Sequence, residues 1–545
     1  MRIALAQLNY HTGHFDYNTN KIITAIQKAK AEKADLVIFA ELAICGYPPR
    51  DFLEFDHFLE LCEQSMESIA RECVGIAAIV GGPSHNPRPE GKNLFNSAFY
   101  LKDGKIEHIY HKTLLPTYDV FDEYRYFEPA IEHSCIELNG CRIALTICED
   151  IWDLLEDPLY TVNPMDQLIS QAPDFMVNIA ASPFAWKHDE RRKDELRKNA
   201  SKYQLPIFYV NHVGAQTELI FDGASTVMNA RGSVYDVLDC FTEDLRIYDL
   251  EDVRKQSPIV RYSKPSKYEL IHDGLVLGIR DYFQKLGFKK AILGLSGGID
   301  SALVAVLATE ALGNENVQAV MMPTEYTSGR SKSDAEKLAD ILDISYKIIP
   351  VQSPYQAFLA ELNPYFGDMP FGIAEENMQA RSRAIILMAL ANKFGYILLN
   401  TSNKSELAVG YGTLYGDMAG GLSVIGDIYK TEVFELCRYI NRNDEKIPES
   451  ILTRPPTAEL RPDQKDSDSL PPYQVLDEIL HEYIEMRLGP REIVANGYDE
   501  ATVKRILKMV NQSEYKRAQF PPILRVSDKA FGMGRRMPIV AKYLG

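Results

Sequence analysis

Metal-type cysteine spacing is missing from this chain. Its eight cysteines, Cys45, Cys62, Cys73, Cys135, Cys141, Cys148, Cys240 and Cys437, include no CxxC pair and no cluster with histidine. That excludes a zinc ribbon or finger and leaves each cysteine, taken singly, reading as a small buried hydrophobe. Long apolar runs are absent too, and nothing approaches the roughly 20 residues a membrane span requires. There is no internal repeat and no low-complexity array. Positive charge is scarce: 59 Lys and Arg stand against 76 Asp and Glu, a net charge of -17. Nonspecific nucleic-acid binding rests on clustered basic residues that release counterions, so no nucleic-acid partner is expected. The N-terminal run MRIALAQLNYHTGHFD has one Arg and too short an apolar stretch for a secretory signal. It reads as a first β-strand, and cytoplasmic residence is the expectation.

What is present is a globular composition, 46% hydrophobic and 25% charged, over 545 residues, which is too long for one ordinary core. Strand-like runs at 3–8, 36–40, 76–81, 97–101, 106–110, 142–147, 175–179, 207–211 and 225–229 alternate with fewer, longer helical patterns, among them 18–31. That ratio suits stacked sheets flanked by helices. Residues 249–267 combine high charge, two prolines and weak periodicity, the mark of a connector. The expected organisation is a domain at 1–248, a linker at 249–267 and a second domain at 268–545. In the second domain strand and helix alternate in a βα order that predicts a doubly wound parallel sheet. Residues 448–472 and the C-terminal tail from Gln519 read as mobile loops.

Residues 290–312, KAILGLSGGIDSALVAVLATEAL, place a glycine-rich turn between an apolar strand and an apolar helix. This is the context of a phosphate site: glycines admit backbone N–H groups, and the helix N-terminus adds its positive dipole end. No GK[ST] lysine follows, so it is not a Walker loop. SGGIDS at 296–301 instead resembles the signature of ATP-pyrophosphatases, which adenylate a substrate and release pyrophosphate. The resemblance implies an ATP site at Gly294, Leu295, Ser296, Gly297, Gly298, Ile299, Asp300 and Ser301. It also implies Mg2+ held by Asp300, since a hard cation bridging phosphates prefers carboxylate oxygen. The run 374–417 resembles the core of the NAD synthetase family. By that resemblance Thr401 contacts ATP, Asn377 and Lys516 contact deamido-NAD, and Glu406 binds the dinucleotide or its magnesium. Lys430 matches a lysine segment near the phosphates, or is a solvated surface lysine.

In the first half, Glu41, Lys112 and Cys148 each follow an apolar strand-like run closely. A thiol attacks an amide usefully only with a base and a stabilised oxyanion beside it. Glu41 can take the Cys148 proton, and Lys112 with the backbone N–H after Cys148 can stabilise the oxyanion. Glu, Lys and Cys in this order resemble the nitrilase and amidase superfamily, which implies a four-layer αββα sandwich. ELAICGYPPRD and KTLLPTYDVFDEYRYF are closer still to the glutaminase domain of glutamine-dependent NAD synthetases. Carried over residue by residue, glutamine binding falls to Tyr118 and Ser182. The family places Lys or Arg six residues beyond that serine; here His188 stands there, with Lys187 before it, and which of the two meets glutamine stays open. Residues 157–163 read as an insertion by the family pattern.

Together the resemblances imply an α/β chain in which a nitrilase-like glutaminase feeds ammonia to an ATP-pyrophosphatase synthetase. The synthetase would convert deamido-NAD (nicotinic acid adenine dinucleotide) to NAD, with glutamate, AMP and pyrophosphate as further products, and the family resemblance implies a homo-oligomer. Free ammonium is mostly charged at neutral pH and a poor nucleophile, a physical reason to join the two activities. Three rivals stand: another SGGxDS amidating ligase with a nitrilase-type donor, a tRNA-thiolating relative, and a degenerate first half serving as scaffold. The acidic balance opposes the second, and the intact Glu41, Lys112 and Cys148 set opposes the third.

Overall fold

Strands buried on both faces lose the apolar/polar alternation of an exposed sheet and become continuous apolar runs. Phe175–Ala180, FMVNIA, is apolar except for Asn178 and buried at every position. The computed structural model describes residues 1–543 apart from 153, 155–158, 256–264, 458, 462, 463, 465 and 469. It divides into two units, Met1–Pro265 and Ser266–Gly545.

The first unit holds two six-stranded sheets. One runs in the order Asp244–Asp249, Arg2–Gln7, Leu36–Ile38, Ala77–His85, Leu94–Lys102, Lys105–His111. The other runs Val234–Val237, Thr226–Met228, Ile207–Asn211, Phe175–Ala180, Cys141–Ile147, Ile136–Leu138. Arg2–Gln7 packs on Ile207–Asn211, so the sheets face each other. Helix Asp56–Glu72 packs on the outer face of the first sheet and against Phe15–Ala31, while Pro164–Leu168 and His188–Tyr203 cover the second. The result is the four-layer αββα sandwich.

Residues 249–255, assigned to the linker by composition, belong to this unit. Asp249 pairs with Arg2 at the sheet edge, and Leu250–Lys255 is a helix that buries Leu250 and Val253. A helix with two apolar anchors among charges has the composition of a connector. Residues 256–264 of the proposed linker lie outside the described residues. Ser266 then caps the helix Lys267–Leu286 in a reciprocal box with Glu269.

The second unit has one parallel sheet, ordered Ser345–Ile348, Val317–Met321, Lys290–Gly294, Tyr396–Asn400, Leu422–Ser423. Strand order reverses between Lys290–Gly294 and Tyr396–Asn400, and ligands bind at the carboxyl ends of strands at such a switch. The C-terminal tail, read from the sequence as a loop, makes specific contacts with the sheet edge. Ser423 and Pro522 are joined by a backbone bond of 2.8 Å, and Asp427 accepts from the N–H groups of Val526 and Ser527 at 2.8 and 2.7 Å. Buried partners outweigh the Pro- and Gly-rich composition there.

Candidate active sites

Cys148 ends the strand Cys141–Ile147 and opens a one-turn 3-10 helix, Cys148–Ile151. Its φ of +44° lies in the left-handed region, uncommon for a residue with a Cβ and retained where neighbours enforce it. Asn178 Nδ2 donates to the Cys148 carbonyl at 3.3 Å. Asp150 accepts from the N–H groups of Ile147 (3.0 Å), Thr113 (3.0 Å) and Leu114 (2.8 Å), which clamps the loop after Lys112 onto the Cys148 turn. Lys112 and Glu41 are fully buried, and Lys112 Nζ donates to Glu41 Oε1 at 2.6 Å. Glu41 Oε2 accepts from the Ala181 N–H at 2.9 Å.

Two members of this cluster escaped the sequence reading. Glu123 accepts from Lys112 Nζ at 3.0 and 2.8 Å and from the Tyr47 hydroxyl at 2.9 Å. Asn96 Nδ2 donates to both Glu41 and Glu123. Glu123 is one acid among several in PTYDVFDEYRYF, with nothing local to single it out. Asn96 did leave a signal, as an amide within the largely apolar run LFNSAFYL, which is buried along its length.

Around the thiol, the Tyr118 hydroxyl donates to Glu149 at 2.9 Å and the Tyr160 hydroxyl at 3.0 Å, so Glu149 is a further site residue the sequence reading passed over. Tyr160 falls in the stretch read as an insertion, of which residues 157 and 158 lie outside the described residues. Ser182 is held by Asn211, which accepts its N–H at 2.8 Å and donates to its carbonyl at 3.1 Å. His188 stacks on Trp152 at 5.2 Å, one residue past the Cys148 turn, whereas the Lys187 ammonium lies over Trp186.

In the second unit a cavity of about 760 Å³ opens at the switch point. Gly294, Leu295, Ser296, Gly298, Ile299, Asp300 and Ser301 line it, as do Asn377, Thr401, Glu406, Lys430 and Lys516. Gly297 does not: it has φ +79°, and a Cβ there would lie 2.3 Å from the Ser331 carbonyl, so it serves the loop's packing instead. The Ser301 hydroxyl closes the turn onto the Gly298 carbonyl at 3.0 Å. Lys430 is buried, not a solvated lysine; its Nζ is paired with Asp300 and lies 3.7 Å from Glu406. Asn377 accepts from the Thr413 hydroxyl at 2.6 Å, and Lys516 donates to the carbonyls of Gly410 and Gly412 at 2.8 and 2.7 Å. Arg383, Arg454 and Arg461, none singled out in the sequence, also line the cavity, the last two on the segment 448–472.

Residues 2–256 match the carbon-nitrogen hydrolase family model and 271–520 the NAD synthase model. A glutamine-dependent NAD(+) synthetase of Synechocystis sp. is 46% identical over 99% of both chains, and one of Thermotoga maritima is 41% identical over 100% of this chain and 99% of its own. The solved structure of glutamine-dependent NAD+ synthetase from Acinetobacter baumannii in complex with ADP is 40% identical, with TM-score 0.78 over 99% of this chain and 98% of its own. The chain belongs to the glutamine-dependent NAD(+) synthetase family.

In a member of that family the electrostatics of the two clusters acquire a meaning. Burial, reinforced by the Glu41 charge and only partly offset by Lys112, holds the Cys148 thiol well above its ordinary value. The thiol therefore rests protonated and needs a base. Burial alone would lower Lys112, but Glu123 and Glu41 outweigh it and keep the ammonium charged. Burial pushes Glu123 up to about 7. In the synthetase cluster, burial and then the Asp300 charge push Glu406 up to about 8, while Lys430 is held up by Asp300 and Glu406 against burial. Two carboxylates crowded around one ammonium form a site for cationic charge. Their oxygen donors suit a hard divalent ion whose remaining ligands come from phosphates.

Proposed function

We infer that this chain makes NAD from deamido-NAD, ATP and glutamine, hydrolysing glutamine in its first unit and amidating the dinucleotide in its second. The observation that carries this reading is the coexistence of a buried Glu41–Lys112 pair beside Cys148 with a glycine-rich ATP loop facing Asp300, Glu406 and Lys430.

Glutamine enters beside Glu149, whose buried carboxylate, flanked by two tyrosine hydroxyls, suits the substrate ammonium. Tyr118, Ser182 and His188 complete the pocket. Glu41 removes the Cys148 proton as sulfur attacks the carboxamide carbon. Lys112 and the N–H after Cys148 meet the charge on the oxygen, a stabilisation strongest in the transition state. Glu41 returns the proton to the departing ammonia. Water then releases glutamate from the thioester.

In the second unit the backbone N–H groups of the loop and the N-terminus of helix Ile299–Leu312 receive the ATP phosphates. Asn377 and Lys516 are the deamido-NAD contacts and Thr401 an ATP contact. Asp300 and Glu406 would hold Mg2+, which supplies neutralisation of the pyrophosphate leaving group. Lys430 lies beside them as a fixed positive charge for the same oxygens. The nicotinate carboxylate attacks the α-phosphorus, pyrophosphate leaves, and ammonia displaces AMP from the adenylate.

The test is NAD formation with glutamine or ammonium chloride as nitrogen donor. Cys148→Ala loses the glutamine-driven reaction and keeps the ammonia-driven one. Equal loss of both would make Cys148 structural, and no NAD from either donor would sink the synthetase assignment.

A further inference from the structure

The hydrolase cluster contains a group for which the steps above have no use. Asn96 lies mid-sheet on Leu94–Lys102 and is fully buried. Its Nδ2 donates to Glu41 Oε1 at 2.7 Å and to Glu123 Oε2 at 3.2 Å, so one amide nitrogen spends both hydrogens on two different carboxylates. Its main-chain carbonyl accepts the Lys112 N–H at 2.8 Å. Its own Oδ1 is buried with no hydrogen-bond partner among the described residues. That pattern fixes the amide orientation: a flipped amide would set Oδ1 against two carboxylates and leave the NH2 without acceptors. A buried asparagine with an orphaned oxygen is costly, and a structure that retains one is using the other end.

We propose that Asn96 is a positioning residue for glutamine hydrolysis, a neutral bridge that holds the Glu41 and Glu123 carboxylates in place on either side of Lys112, so that Glu41 is aimed as base. Two carboxylates sharing one ammonium are short of one positive charge, and in a buried site they would compete for a proton. Lys112 supplies one cation, the Tyr47 hydroxyl serves only Glu123, and the Ala181 N–H serves only Glu41. Among the uncharged donors named here, Asn96 alone reaches both acids, as Lys112 does with its charge. The other titratable groups acting on the pair include the Cys148 thiol, Glu149 and the Tyr160 hydroxyl, and the Glu149 charge discourages further negative charge. An amide donates without adding charge, whereas a second lysine there would quench the base.

This rests on the hydrolytic reading of Cys148, and the test separates the two. In the full-length chain, Asn96→Asp keeps the shape and replaces the shared donor with a third carboxylate, while Asn96→Leu removes the donor without adding charge. Glutamine-driven and ammonia-driven NAD formation are measured from pH 5.5 to 9, and a chloroketone analogue of glutamine counts competent Cys148 sites. Per labelled site, kcat with glutamine falls on the order of 10- to 100-fold in both variants, the scale of a charge-assisted bond. Glutamine KM stays within about twofold, because Asn96 holds the base and not the substrate. The acid limb of kcat/KM moves upward by about one pH unit in Asn96→Leu and further in Asn96→Asp. Ammonia-driven synthesis is unchanged. An unmoved acid limb, or a rate loss matched by lost labelled sites, would reduce Asn96 to packing and overturn the proposal. If wild type itself hydrolysed no glutamine, the reading of Cys148 would fail instead.

Discussion

Gly297 shows how much one missing atom can matter. With φ +79° and the Ser331 carbonyl 2.3 Å from any added Cβ, no other residue fits without moving the phosphate loop or the helix Gly329–Leu342. Gly297→Ala is expected to weaken ATP binding by roughly tenfold or more, measured by calorimetric titration, while glutamine hydrolysis is untouched. Unchanged ATP affinity would mean that the loop yields freely there. In the sequence this glycine was one of three that looked alike. Gly294 and Gly298 line the cavity, whereas Gly297 faces the protein, and only the fold separates those jobs. The reactive residues were legible because each sits at a strand end inside a distinctive run. Their supports were not. Asn96, Glu123 and Glu149 reach the site through contacts with residues 27 to 55 positions away, or through neighbours of ordinary composition.

At the scale of elements, Asp477 on helix Tyr473–Ile484 ties two helix N-termini together. It accepts from the Ser405 hydroxyl at 2.5 Å and from the Thr431 N–H and hydroxyl at 2.9 and 2.8 Å, and Ser405 in turn accepts the Lys430 N–H at 2.9 Å. The first helix carries Glu406 and the second begins at Lys430, so one buried carboxylate sets the spacing of the synthetase cluster. Asp477→Ala removes the acceptor of the Thr431 N–H at one helix start, worth about 1 kcal/mol as a cap, and leaves the Ser405 hydroxyl without its acceptor, worth about 1 kcal/mol more. The expected outcome is about 2 kcal/mol of lost stability by urea unfolding, together with a fall in pyrophosphate release while glutaminase persists. Stability lost with synthesis intact would show that the spacing is fixed elsewhere. The junction is not legible in the sequence, since nothing near Asp477 points 72 residues back to Ser405. The same blindness explains the linker: a short edge helix and a connector share a composition, and only pairing to Arg2 tells them apart.

At the scale of the whole molecule, pH acts on a surface-proximal knot that joins three segments of the second unit. His272 is held by Asp273 and Glu310, each at 2.8 Å, and Lys446 grips Glu310 at 2.7 Å. Burial would lower His272, but the two carboxylates outweigh it and push it up to about 9. Burial would raise Glu310, but His272 and Lys446 draw it down to about 2. The histidine's contribution is complete below its ordinary 6.5 and lost as pH rises through about 9. That of Glu310 is complete above its ordinary 4.5 and lost as pH falls towards 2. The pair therefore stabilises the unit most between those two ordinary values. His272→Gln should flatten the decline in melting temperature between pH 6.5 and 9, at about 2–4 °C per kcal/mol. A calorimetric scan with the wild-type slope preserved would remove the knot from the account.

Glu41, Lys112 and Cys148 all belong to one unit, and Asp300, Glu406 and Lys430 to the other. Inherited defects in such a chain would not be equivalent. A cell with a broken Cys148 would starve for nitrogen transfer only where dissolved ammonium is scarce, and would grow normally beside a rich source. On the proposed roles, damage at Asp300 would remove synthesis with either nitrogen donor. Selection would guard the two halves unequally, with a strictness in the first set by the habitat's nitrogen supply.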